Sequence, residues 1–482
     1  MKEKLKTLTF KYRINLFVFL FFLFIGALCP ISGVDWKSYV IGKEGLLECF
    51  KKINISDGRI VSGFLINFFS YNKILFDISF ALLMTEFVKI CNNMMGKVKN
   101  KYYYLYPVIG ILLVSSFMVS YSYTSITMTV AYTFPALMIF IYFYNFLKED
   151  TTKFDYIKQI LLIAYISLSS IHMAITFFIV NMIYLLYTNK RSIKSAISLV
   201  INFILIIVSL YTIKSSLIYT NVNDISGNIS TMIENVFSRN ILLVLLGAIP
   251  INYYLNEKLK GNTYSRVVIA LFNIILVFSL SYNFFHYSPV NLNLVLSKYS
   301  GTFATENWYY IFYFMTYMAL FVISMNHFIE NKKMKFILNM FNLSSLILMI
   351  LSLISPIFDQ GNIVFICFAV ILIICLLAEE MNIKVYATLA EVVLTVLMVY
   401  YISMFGVIKY IDITRTNYIK EQIESKELNI EVKANPIFLV YEYNPNFISE
   451  TDFKKYYEIP DDCTIEVKYF GIFEKIEKKV KN

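Results

Sequence analysis

Residues 363–377 read IVFICFAVILIICLL, fifteen positions with no polar side chain among them. At 1.5 Å per residue, such a run covers most of a ~30 Å hydrocarbon core, and water offers it no surface to face. Working outward from it, twelve further apolar segments can be drawn, thirteen in all. They are Ile14–Ile31, Lys73–Met94, Tyr103–Val119, Val130–Leu147, Gln159–Ser170, Ile171–Tyr187, Ser195–Ile213, Ile241–Leu255, Val267–Phe285, Trp308–Phe328, Phe336–Phe358, Ile363–Leu377 and Val385–Ile408. The stretch Gln159–Tyr187 reads either as two short spans meeting at Ser169–His172 or as one long kinked helix.

Composition agrees. Of the 482 residues 58% are apolar, 17% aromatic and only 16% charged, where a soluble domain carries roughly 25% charged residues. That excludes a cytosolic enzyme, a disordered regulator and a nucleic-acid-binding domain. The net charge of +10 is a matter of flanks, because most lysines border apolar runs. The six cysteines are scattered without metal-ligand spacing and read as small buried hydrophobes. The fold class expected is an all-α polytopic membrane protein of about 13 transmembrane helices.

Lysine and arginine set the orientation. With the N-terminus inside, cytoplasmic segments hold about 21 of them and outer segments about 9. The first run follows a basic stretch but has no convincing cleavage site before Pro30, so it reads as an uncleaved span. An odd number of spans leaves the C-terminus outside. The expected layout is a multi-span domain over residues 1–409 and a small extracytoplasmic α+β tail over 410–482, in a bacterial cell membrane.

Residues 32–72 form the first outer loop. Gly45–Lys52 and Ile60–Phe69 read there as helices lying in the interface plane, against membrane lipids. In the tail, Thr414–Ser425 reads as a helix, and Leu428–Val432, Ile437–Tyr443 and Thr464–Phe470 as strands. Ser449–Asp452 resembles a capping box opening a helix with Phe453, Tyr456 and Tyr457.

The candidate chemistry is carboxylate and guanidinium. Asp35, just past the first span, suits a general base toward an acceptor hydroxyl, or a ligand for a divalent cation (Mg or Mn). Trp36 beside it suits packing on a sugar ring. The plainer reading is a solvated helix-end Asp35 with Trp36 as an aromatic-belt anchor. In Asp57-Gly58-Arg59, the arginine suits a phosphate clamp; alternatively Gly58 is a turn and Asp57 caps a helix. His286, in an outer loop, could reach a cavity, and Glu306, at an outer helix end, could line a shared cavity with Asp359. His172 and His327 read as packing residues, and Glu391 as a buried carboxylate paired across helices.

Several of these parts resemble the GT-C type of bacterial membrane glycosyltransferase, the relatives of O-antigen glucosyltransferases. The residues that carry the resemblance are Gly33–Trp36, Asp57-Gly58-Arg59 with the apolar run after it, Tyr121–Pro135 (YSYTSITMTVAYTFP), Asn444-Pro445-Asn446 and the Tyr456-Tyr457 pair. The resemblance implies a polyprenyl-phosphate-linked sugar donor, a saccharide or glycolipid acceptor of the cell envelope, transfer on the outer face, and Asp35 as the essential acid. The sequence departs from that group at Val34, where a second acid is common, and at Pro356–Asn362, which lacks an arginine. Two other classes fit an outward-facing membrane protein: a surface-polysaccharide polymerase or ligase, and a flippase or transporter of lipid-linked saccharides. The second calls for paired repeats, and no convincing repeat is present.

Overall fold

The computed structural model describes residues 2–31, 33–53, 58–95, 101–114, 125–146, 153–187, 193–212, 241–259, 262–286, 308–354, 361–381, 387–434 and 450–469. Nearly all of them are helical, as expected of segments that must satisfy their own backbone in an apolar medium. A described helix overlaps every one of the apolar segments. Four described helices are long and apolar enough to cross a membrane: Ile126–Asn145, Lys332–Leu351, Ile363–Glu380 and Leu389–Glu424. This is a helical membrane protein.

The chain opens with α1 (Lys2–Leu28), a 3-10 turn at Gly33–Asp35, and three short helices, α2 (Trp36–Lys43), α3 (Leu46–Lys51) and α4 (Ile60–Tyr71). Then α5 (Lys73–Met94) returns along α1 and α6 (Tyr106–Leu113) follows. Helix α7 is composite: Ile126–Met128, a π turn at Thr129–Thr133 and Phe134–Phe146 run on without a break. Next come α8 (Lys153–Ser169), α9 (Ile171–Tyr187), α10 (Ile193–Thr212), α11 (Ile241–Lys258), α12 (Thr263–His286), α13 (Trp308–Phe328), α14 (Lys332–Ile354), α15 (Gly361–Glu380) and α16 (Ala387–Glu424).

Helices α7 and α15 form the centre. Their apolar windows are 83% and 78% buried, against 28% for α16 at the periphery. Phenylalanines knit the centre together: Phe140 of α7 lies 5.1 Å from Phe365 and 4.6 Å from Phe341, ring centre to ring centre. Peripheral α10 and α12 instead expose Val200, Phe203, Ile204, Val267, Leu271 and Ile274, the surface a lipid-facing helix presents. All six cysteines are free and buried.

The ambiguous stretch 159–187 is a tight hairpin broken at Ser170. Tyr142 of α7 lies within electrostatic reach of both Tyr156 and Tyr184; one straight helix would hold those two tyrosines roughly 42 Å apart. Ser167, near the bend, anchors α10 by donating to Asn202 Oδ1 at 2.7 Å and accepting from Ser209 at 2.9 Å.

The expected boundary at 409/410 falls inside an unbroken helix, because α16 runs 38 residues from the apolar region into the charged one. Beyond it lie β1 (Asn429–Ala434), α17 (Glu450–Tyr457) and β2 (Thr464–Tyr469), with β1 and β2 paired in parallel. The expected strand Ile437–Tyr443 lies outside the described residues. Glu391, expected to be buried and paired, is exposed. It sits in the second turn of α16 on a face turned away from the bundle, beside exposed Leu389 and Val392.

Candidate functional site

Asp35 stands at the N-cap of α2, yet its carboxylate makes no capping bond to that helix. It reaches instead to the start of α7. The backbone N–H of Ile126 donates to Oδ2 at 2.8 Å, and the N–H and hydroxyl of Thr127 donate to Oδ1 at 2.8 and 2.6 Å. Ser125, the N-cap of α7, accepts from Met128 N at 3.2 Å. The first amides of a helix have no partners within it, and here two side chains from different parts of the chain supply them. The carboxylate also sits at the positive end of the helix dipole. Asp35 is 0% exposed.

Arg59 comes to the same helix from another direction. Gly58, at φ 72°, makes the left-handed turn that glycine tolerates, as one reading of Asp57-Gly58-Arg59 expected. Arg59 then sits at the N-cap of α4. Its guanidinium carbon lies 4.8 Å from the centre of the Tyr132 ring, and its Nη2 donates to the Tyr132 hydroxyl. Tyr132 belongs to the π turn, a local widening often found at functional sites; its neighbour Val130 has its carbonyl engaged by the Tyr165 hydroxyl at 2.8 Å. Asp35 and Arg59 therefore meet α7 five to six residues apart, about 8 Å along its axis.

The floor of this region is polar and buried. Ser62 of α4 donates to the Ser169 carbonyl at 3.0 Å, pinning α4 to the hairpin bend. Ser169, Ser170 and His172 are buried there, and His172 lies within electrostatic reach of Arg59. Buried polar groups among apolar helices are costly unless paired or used.

Trp36 takes a different place from the one a sugar platform needs. It is 1% exposed and forms part of the C-terminal core with Ile419, Ile430, Val432, Phe453 and Ile459. Tyr456 stacks on it at 5.5 Å, Phe453 and Tyr457 meet it edge-on at 4.9 and 5.7 Å, and the Arg415 guanidinium lies 6.0 Å from its ring. Arg415, itself 1% exposed, is paired with Asp412 at 2.8 Å. Lys43 at the end of α2 adds an ion pair to Glu458 at 2.6 Å.

Of the expected site residues, the structure brings Asp35 and Arg59 onto one helix and puts Trp36 beneath the C-terminal unit. Asp57 and Glu306 lie outside the described residues, as does the side chain of His286. Thr127, Tyr132 and Ser62 were not singled out as candidates, although the first two lie in the stretch Tyr121–Pro135. A divalent cation at Asp35 does not fit the surroundings: both oxygens face N–H and O–H donors, which suit an anion and repel a metal ion. Among the described residues no three His, Cys, Asp or Glu side chains cluster as a metal set.

Fold and site thus define a helical membrane protein with a buried polar region where Asp35 and Arg59 meet α7. No family model, curated protein or solved structure matches the chain.

Proposed function

We propose that the chain is a GT-C-like membrane glycosyltransferase of the bacterial cell membrane. In this reading it has thirteen spans, an inner N-terminus and an outer C-terminal unit, and moves a sugar from a polyprenyl-phosphate donor to a cell-envelope polysaccharide or glycolipid. The observation that carries the reading is the convergence of Asp35 and Arg59 on the first turns of α7. A base and a phosphate-binding cation at one helix end are what glycosyl transfer from a lipid phosphate needs.

Among the described donors to Asp35, the Thr127 hydroxyl is able to turn away, since the two amides are fixed by the helix. An acceptor hydroxyl replaces it on Oδ1. As the acceptor oxygen bonds to the anomeric carbon, its proton passes to Asp35 and the bond from that carbon to the donor phosphate breaks. Arg59 balances the charge left on the departing polyprenyl phosphate.

Asp35→Asn tests the chemistry when its melting temperature is read beside its activity. Asparagine cannot take a proton, and its single acceptor oxygen serves only one of the two amides that Asp35 holds. Transfer from a polyprenyl-phosphate-linked sugar in membranes should fall about 100-fold or more, with expression unchanged. Undiminished transfer by a normally folded Asp35→Asn protein removes the assignment.

A further inference from the structure

Asp77, 5% exposed within α5, is bonded by one lysine and lies within electrostatic reach of a second. Lys73, one turn earlier, donates to both its carboxylate oxygens at 2.8 Å and to the Gly26 carbonyl of α1 at 2.6 Å. An ammonium has three donors, so Lys73 is saturated. Lys409 of α16 lies within electrostatic reach of the same carboxylate and is half-buried. Among the described residues it forms no ion pair. Asp412, one turn further on, is held by Arg415 at 2.8 Å.

Two ammonium groups against one carboxylate leave one positive charge in excess. The surface around them is apolar and open: Ile74 is 75% and Val407 41% exposed. The sequence neighbours Tyr71 and Tyr410 are exposed too, as tyrosines are where hydrocarbon gives way to headgroups. The one carboxylate in reach is already bridged to Lys73 among the described residues, and the surrounding medium offers a further class of anion: lipid phosphates.

We propose that Lys409, backed by the Lys73–Asp77 pair, seats the phosphate of an anionic phospholipid at the edge between α1, α5 and α16. The site is separate from Asp35 and Arg59 and does not depend on the transfer reaction. Because Lys73 is already saturated, Lys409 is the group that takes the phosphate.

The test is native mass spectrometry of the purified full chain titrated with phosphatidylglycerol, phosphatidylcholine or undecaprenyl phosphate. Phosphatidylglycerol should bind more tightly than phosphatidylcholine. Lys409→Gln should weaken phosphatidylglycerol binding about fivefold, the loss expected for one lysine at an anionic surface, while leaving phosphatidylcholine unchanged. Lys409→Arg should retain the preference, and Lys420→Gln, at an exposed lysine elsewhere on α16, should behave as the parent. Melting temperatures of the variants identify any loss due to misfolding. Equal phosphatidylglycerol binding by Lys409→Gln and the parent overturns the proposal. So does a preference for undecaprenyl phosphate over phosphatidylglycerol of about tenfold that Lys409→Gln removes, which assigns the seat to a prenyl-linked ligand instead.

Discussion

Trp36 and Tyr456 stack with ring centres 5.5 Å apart and planes 21° from parallel. The contact joins the residue after Asp35 to a helix more than four hundred positions later in the chain. It places the C-terminal unit directly over the loop that holds the candidate base.

Removing that ring should loosen both partners. Trp36→Ala empties the centre of the C-terminal core, and truncation of a buried tryptophan costs about 3–5 kcal/mol. The expected outcome is rapid proteolytic cleavage within residues 450–469 under conditions where the parent resists. Trp36→Phe should restore most of the protection.

The bond from the Thr127 hydroxyl to Asp35, at 2.6 Å, is shorter than those from the Ile126 and Thr127 amides. Thr127→Val keeps the shape and deletes that donor. A hydrogen bond to a charged group contributes about 1.5–3 kcal/mol, so the variant should melt at a clearly lower temperature. In an Asp35→Asn background the same change should cost less, since the charge is gone; a double-mutant cycle reads the difference.

Helices α2 and α4 touch through Gly42. A Cβ there would meet the Asn67 carbonyl oxygen and come within 2.6 Å of the Tyr71 Cβ. Backbone cannot step aside as a flexible side chain can, so Gly42→Ala should cost about 1–3 kcal/mol. Gly406 is the contrast: a Cβ there meets nothing within 4 Å. Gly406→Ala in the interior of α16 should stabilise by about 0.5–1 kcal/mol, read by thermal unfolding in detergent.

The Lys43–Glu458 ion pair gives the C-terminal contact a pH dependence. The hydrogen bond and charge of Lys43 hold the Glu458 carboxyl below its ordinary range. Its contribution is therefore complete above the ordinary carboxylate value of about 4.3 and fades as pH falls through the lowered one. Lys43 is shifted upward by the same partner, so its share is lost only as pH rises beyond the ordinary lysine value of about 10.4. The pair is exposed, and the effect is small. Fluorescence of Trp36 in a Trp308→Phe background should stay constant from neutral pH to about 5 and shift in stronger acid. Lys43→Met should flatten that acid response.

Apolar run length made the helices visible, because each must span or line an apolar layer and nothing else accounts for such runs. The small strands at Asn429–Ala434 and Thr464–Tyr469 were legible within a residue or two, from alternating β-branched positions. The hairpin bend at Ser170 was half-legible, since serines can end a helix or merely kink it. What sequence did not reveal is pairing over distance. Nothing local to Gly33–Trp36 announces that Asp35 will reach the amides of Ile126 and Thr127, or that Trp36 will meet Tyr456. Both depend on how the helices return to one another. Glu391 was misread because apolar neighbours suggested burial, whereas in α16 the same neighbours point outward.

The unbroken course of α16 has a mechanical consequence. Its 38 residues make a rod about 57 Å long, fixed neither by a proline nor by a loop where it leaves the apolar layer. A change of about ten degrees in its inclination displaces the far end by roughly 10 Å. A spanning helix accommodates bilayer thickness partly by tilting, so thickness becomes a lever on the C-terminal unit that packs on Trp36.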